Sequence, residues 1–116
     1  MTPTFTPPRP LGPAGTALWD RIWSTRKPWL TFTNDADQVA NYCALHDEVV
    51  AVEALLDADP QDWRSRNARR MLDSSIERYA TALGLNPLGR KRLGAKDSAP
   101  VGKLEQLRAA RSTKAG

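Results

Sequence analysis

The chain is poor in the residues from which most catalytic and metal sites are built. It holds one cysteine, Cys43, and one histidine, His46, in 116 residues. A lone thiol closes no intrachain disulfide and fills no cysteine-based zinc site of the usual kind, and it makes a reducing cytosol the default compartment. No glycine-rich loop with its lysine is present to cradle phosphates, so ATP hydrolysis is not indicated. No apolar run is long enough to span a bilayer. The first residues, with Arg9 as their single charge, do not read as a signal peptide. Strand-like alternation never persists beyond a few residues, and no internal repeat occurs.

Cys43 and His46 lie three residues apart in a helical stretch, a spacing at which a nucleophile and its base can share a face. That face is apolar, and no oxyanion donor or third group accompanies it. The reading is a packed thiol beside a half-buried imidazole. Asp47 could join the pair as a metal ligand, but no second histidine follows. The carboxylates read as a solvated face or an interface complement. No catalytic residue, metal or cofactor is therefore expected, and the chain reads as a non-enzyme.

Charge is what the chain has, and it is segregated. The net charge of +4 hides three blocks. Residues 1–33 carry four basic groups against one acid, residues 34–62 carry eight acids and no Lys or Arg, and residues 63–116 carry thirteen basic groups against four acids. An acidic middle and a basic C-terminal half imply two surfaces, one facing a protein neighbour and one a polyanion. Arg64, Arg66, Arg69 and Arg70 crowd one helix start, and Arg90, Lys91 and Arg92 follow, with further cations through Lys96, Lys103, Arg108, Arg111 and Lys114. The guanidinium fork matches phosphate oxygens, and each neutralised phosphate releases counterions. These clusters are the candidate DNA-binding residues. Trp19, Trp23, Trp29 and Trp63 could stack on bases, but their spacing favours core packing.

The periodicity predicts an all-α fold. Residues 1–12 hold four prolines and read as a flexible arm. A first helix starts at Gly12-Pro13, buries Leu18, Trp19, Ile22 and Trp23, and ends at Pro28. Thr33 or Asn34 caps a long second helix running to about Leu56. Its apolar residues cover more than one stripe, so it needs partners on two sides. Val39, Tyr42, Val49, Val52 and Leu56 are the candidate oligomer contacts. Asp59 caps a third helix with Pro60 in its first turn, and Gly84 stops it. The short connector folds the two long helices into an antiparallel hairpin. Asn86-Pro87 opens a short fourth helix ending at Gly94. Residues 13–94 form the helical domain, and residues 95–116 read as a flexible basic tail.

Two segments carry a resemblance. Pro10-Leu11-Gly12-Pro13-Ala14-Gly15-Thr16-Ala17-Leu18-Trp19-Asp20-Arg21-Ile22-Trp23 resembles the opening of the P27 family of phage terminase small subunits, where a proline-led helix carries a leucine-tryptophan pair. Leu83-Gly84-Leu85-Asn86-Pro87-Leu88-Gly89-Arg90-Lys91-Arg92-Leu93-Gly94 is similar to that family's closing motif, a Leu-Gly-Leu-Thr-Pro turn followed by two arginines one residue apart and then Leu-Gly. Asn86 stands in the threonine's place, and both residues cap helices. The resemblance implies a non-enzymatic packaging protein in the host cytoplasm. It would form a homo-oligomeric ring of about eight to ten copies, closed by cyclic symmetry. Its partners would be double-stranded viral DNA and the large terminase subunit, which holds the ATPase and nuclease. Arg90 and Arg92 match the motif's arginines. The hairpin would form the ring interface, with acidic and basic faces meeting across subunits. Two other readings compete: a small helix-turn-helix regulator, which predicts a dimer with a recognition helix, and a helical adaptor, which predicts no salt-dependent DNA binding.

Overall fold

The computed structural model describes residues 5–94. Four helices follow in order, α1 (Pro13–Ser24), α2 (Phe32–Ala58), α3 (Trp63–Ala82) and α4 (Pro87–Arg92), and no strand occurs among the described residues.

Helix α1 begins where Pro13 supplies a preset φ and lacks only an amide that would go unpaired anyway. Gly12 occupies the cap position without a side chain to cap with. Asp47 of α2 does the work instead: its two carboxylate oxygens accept from the Gly12 and Gly15 amides at 2.7 and 2.8 Å. A carboxylate at a helix N-terminus also meets the positive end of the dipole. The approach is close because Gly15 has no side chain. A Cβ there would collide with Asp47 and sit 2.9 Å from the Cys43 carbonyl oxygen. At the other end of α1, the Lys27 ammonium donates to the carbonyls of Ile22 and Thr25 at 2.7 and 3.1 Å. Burial holds its pKa below the ordinary lysine value.

The N-cap of helix α2 lies two residues before Thr33, the nearer of the two expected caps. Thr31 is the N-cap; its hydroxyl accepts from the Asn34 amide at 3.4 Å, while the Asp35 carboxylate accepts from the Thr31 amide at 2.8 Å. This reciprocal pair resembles a capping box and brings Phe32 into the first turn. The start of α3 is corrected in the other direction. Asp59 spends its side chain on the Gln61 amide inside a tight turn, and Asp62 caps α3 through the Arg64 amide at 3.2 Å and the Ser65 hydroxyl at 2.7 Å. Pro60 therefore lies in the turn, outside α3.

Helices α2 and α3 pack side by side in opposite directions, with Glu53 late in α2 meeting Arg69 early in α3 at 3.3 Å. Helix α1 crosses the first half of α2. The core lies at this junction: Leu18, Trp19 and Ile22 of α1 pack with Leu30, with Val39, Ala40, Tyr42 and Cys43 of α2, and with Ala80 and Leu83. The 12 residues of α1 span about 18 Å and the 27 of α2 about 40 Å at 1.5 Å per residue. Helix α1 therefore cannot cover the far half of the hairpin, where Val50, Leu55, Trp63 and Met71 are exposed.

From residue 5 onward the arm is pinned to this core, which differs from the flexible arm expected over residues 1–12. Phe5 stacks on Phe32 with ring centroids 4.6 Å apart, and its carbonyl accepts from the Trp19 indole at 2.9 Å. Arg9 donates to Asn41 at 3.1 Å. The prolines keep the segment extended; the two aromatic contacts hold it down.

Helix α4 is fixed to the end of α3. Gly84 takes φ +66°, a left-handed stop open to glycine at little cost. The Trp29 indole donates to the Leu83 carbonyl at 3.0 Å and closes the corner. Asn86 accepts from the Gly89 amide at 2.7 Å and donates to Thr81 and Glu77 at 3.0 and 3.1 Å. Gly89 lies so close to Thr81 that a Cβ would enter its backbone, 2.9 Å from the Cα. The expected tail, residues 95–116, lies outside the described residues.

Candidate nucleic-acid interface

Helix α3 turns Ser65, Ala68, Leu72, Ile76, Tyr79 and Ala80 toward the fold, where all are buried or half-buried. Helical spacing then sends Arg64, Arg66 and Arg70 outward, and all three are exposed. Arg69 falls on the inner flank. It bonds Glu53 at 3.3 Å and contacts Asp73 one turn on, so it links the hairpin and is removed from the candidate DNA surface. Both ion pairs found among the described residues belong to Arg69, and none involves Arg64, Arg66, Arg70 or Arg92.

Arg78 was missed by the sequence reading. It is exposed two turns beyond Arg70, and with Ser74 between them the three share one side of α3. The i, i+4, i+8 spacing of Arg70, Ser74 and Arg78 was the available signal. Arg78 and Ser74 also line the groove between α3 and α4, a cavity of about 670 Å³ that Arg92 and Leu93 border from the other side. Two carboxylates lie there as well, each already engaged: Asp73 by Arg69, and Glu77 by the Asn86 amide at 3.1 Å. On α4, Lys91 and Arg92 are exposed, while Arg90 is half-buried and already engaged. Arg66, Arg70 and Arg78 follow at i, i+4 and i+12 along one side of α3, and Arg78 shares its groove with Arg92, so these four exposed cations form a track, while Arg64 lies on the other flank beside Trp63.

The expected oligomer contacts divide. Val39 and Tyr42 are 0% and 9% exposed inside the chain's own core, which corrects their assignment to an oligomer interface: α1 and the end of α3 already cover them. Val49, Val52 and Leu56 are half-buried on the hairpin. Val52 lines an apolar groove of about 480 Å³ between α2 and α3. Three of the four tryptophans pack in or against the core, whereas Trp63 is 68% exposed with the Arg64 guanidinium 5.8 Å from its ring centroid.

The Cys43, His46 and Asp47 group is structural. Cys43 is fully buried, and burial, with help from the Asp47 charge, pushes its thiol up to about 12, so no thiolate forms near neutrality. His46 lies edge-on to Tyr42 at 4.9 Å, and its Nε2 is buried without a hydrogen-bond partner. Burial, and secondarily the Arg21 charge, lowers its pKa. Asp47 is committed to the α1 amides. Among the described residues no cluster of three or more potential metal ligands forms, and no helix is long and apolar enough to cross a membrane. Comparisons of the chain with protein-family models, with curated proteins and with solved structures return no match.

Proposed function

We propose that this chain is a small terminase subunit of a tailed phage or prophage, a DNA-binding protein that assembles into a ring of about eight to ten copies by cyclic closure and presents viral DNA to the large subunit in the host cytoplasm. The observation that carries the reading is the exposed track of Arg66, Arg70, Arg78 and Arg92, held on helices and outside the ion pairs of the fold. The resemblance over residues 10–23 and 83–94 supports it. These two segments are neighbours in space, since Leu18, Arg21 and Ile22 of the first line one cavity with Leu85 of the second. Their distinctive residues, Gly12, Gly15, Trp19, Gly84, Asn86 and Gly89, set close approaches and caps. A motif of this kind marks an architecture, and the arginines use that architecture to face DNA. The mechanism is binding, with no bond made or broken.

A helix-turn-helix regulator would cross its two helices at a steep angle. Here α2 and α3 lie side by side, which favours the packaging reading over that one. Measuring duplex DNA affinity against salt tests the proposal. Each phosphate contact contributes about 0.9 to the slope of log K against log salt. Changing Arg66, Arg70, Arg78 and Arg92 to Glu should flatten that slope. An unchanged slope would remove the track from the DNA surface. A wild-type chain that ignores duplex DNA at low salt would end the DNA-binding reading altogether.

A further inference from the structure

We infer that the chain assembles head to tail, with Trp63 of one copy seated in the α2/α3 groove of the next. The inference rests on the self-assembly half of the proposed function and identifies the contact that would carry it.

Trp63 is the projecting part. At 68% it is the most exposed of the large apolar side chains among the described residues, although it stands on a well-capped helix that could hold a polar residue there. Leaving an indole in water forgoes one of the largest burial gains a side chain offers. Arg64 lies 5.8 Å from the ring centroid, so the tip of the hairpin presents an aromatic plate edged by a cation. Tryptophan and arginine are the side chains that most often anchor interfaces.

The receiving part is the groove of about 480 Å³ along the hairpin. Small Ala51 and Ala68 leave it open, Leu72 makes it apolar, and Met71, 65% exposed, can adapt around an inserted ring. Its one ionic lining residue is Glu48, opposite in sign to the Arg64 that would arrive with the indole. The charge blocks agree with this pairing. Residues 34–62, which supply half the groove, carry eight acids and no Lys or Arg, whereas Arg64, Arg66 and Arg70 surround the tryptophan on α3. Trp63 cannot enter the groove of its own copy, because both belong to the same straight helix, where the groove begins at Ala68. The occupant is therefore a second copy. The two surfaces differ, so each copy offers one knob and one hole, and the contact propagates into a closed ring or an open filament. Arg64 then belongs to the subunit contact, and Arg66, Arg70, Arg78 and Arg92 remain for DNA.

Native mass spectrometry and sedimentation of the full chain test this. Wild type should be oligomeric. Trp63→Ala, which touches no core residue, should raise the concentration needed for assembly at least tenfold while circular dichroism stays unchanged. Ala51→Trp, which fills the groove, should do the same. An equimolar mixture of these two variants should stop at a one-to-one dimer, because one knob and one hole remain between them. Glu48→Arg and Arg64→Glu should each weaken assembly, and combining them should restore it. An oligomeric wild type whose Trp63→Ala and Glu48→Arg variants assemble equally well overturns this contact and leaves self-assembly standing. A wild type that stays monomeric at all concentrations overturns both.

Discussion

Replacing Asp47 with alanine should destabilise the fold by about 2–4 kcal/mol, although the residue lies in what reads as a solvated acidic stretch. A hydrogen bond to a charged acceptor contributes about 1.5–3 kcal/mol, and the loss of a helix cap costs about 0.5–2 kcal/mol. Asp47 makes two such bonds, to the Gly12 and Gly15 amides at 2.7 and 2.8 Å, and both are only partly buried. The sum is reduced because water reaches the amides once the carboxylate is gone. Asp47→Asn keeps one acceptor oxygen and should lose about half as much. The assay is urea unfolding at fixed protein concentration, so that assembly does not shift the midpoint between variants. Gly15→Ala provides the internal control. Its Cβ would strike the Asp47 carboxylate and also crowd the Cys43 carbonyl at 2.9 Å. Part of its cost should vanish in the Asp47→Ala background, so the double mutant should be less unstable than the two single changes added together. Additive effects, or an Asp47→Ala change within about 0.5 kcal/mol of wild type, the range usual for an unencumbered surface position, would refute the capping role.

Cys43, fully buried with its thiol raised to about 12, should resist alkylation at pH 8 in the native protein and react only after unfolding; rapid native labelling would show that the α1–α2 packing opens. His46 has a pKa below 6.5 in the fold, so the unfolded chain binds this proton first as pH falls. Its contribution to stability is complete well above pH 6.5 and declines as pH drops below it. His46→Gln should flatten that decline in urea titrations, and an unaltered profile would mean that other groups cause it. Gly89→Ala drives a Cβ into the Thr81 backbone and should cost about 1–3 kcal/mol, the usual penalty of overpacking, by prising α4 from α3. Thermal melts check this, and a wild-type midpoint would mean that α4 is not held there.

The helix punctuation that was legible in the sequence is local chemistry. Pro13, Gly84, Asn86-Pro87 and Gly94 each act through their own backbone or the next turn, and the structure uses them as starts and stops where they stand. The other caps were misjudged because candidates were crowded. Thr31 and Asp62 act, whereas Thr33, Asn34 and Asp59 offered the same chemistry within a turn. The choice fell to which side chain could complete a second bond, with Asp35 in one case and Ser65 in the other.

Periodicity says which residues share a face and is silent about what covers it. Val39 and Tyr42 looked like interface residues because α2 is apolar on more than one side; α1 turned out to supply the second partner for its first half only. Arg69 and Arg70 are adjacent in sequence, yet one is tied to Glu53 and Asp73 and the other faces solvent, a difference of one helical step of about 100°. Asp47 belonged to an acidic block by composition and became the cap of a helix whose first residue precedes it by more than thirty positions. Over the described residues, the sequence by itself determined four helices, their approximate ends and the separation of acid from base, because these follow from propensity and charge within a few residues. Only the tertiary structure decided which apolar side chains are consumed at home, which arginines remain outside and why Trp63 is left in water, because these depend on how far one short helix reaches along a longer one.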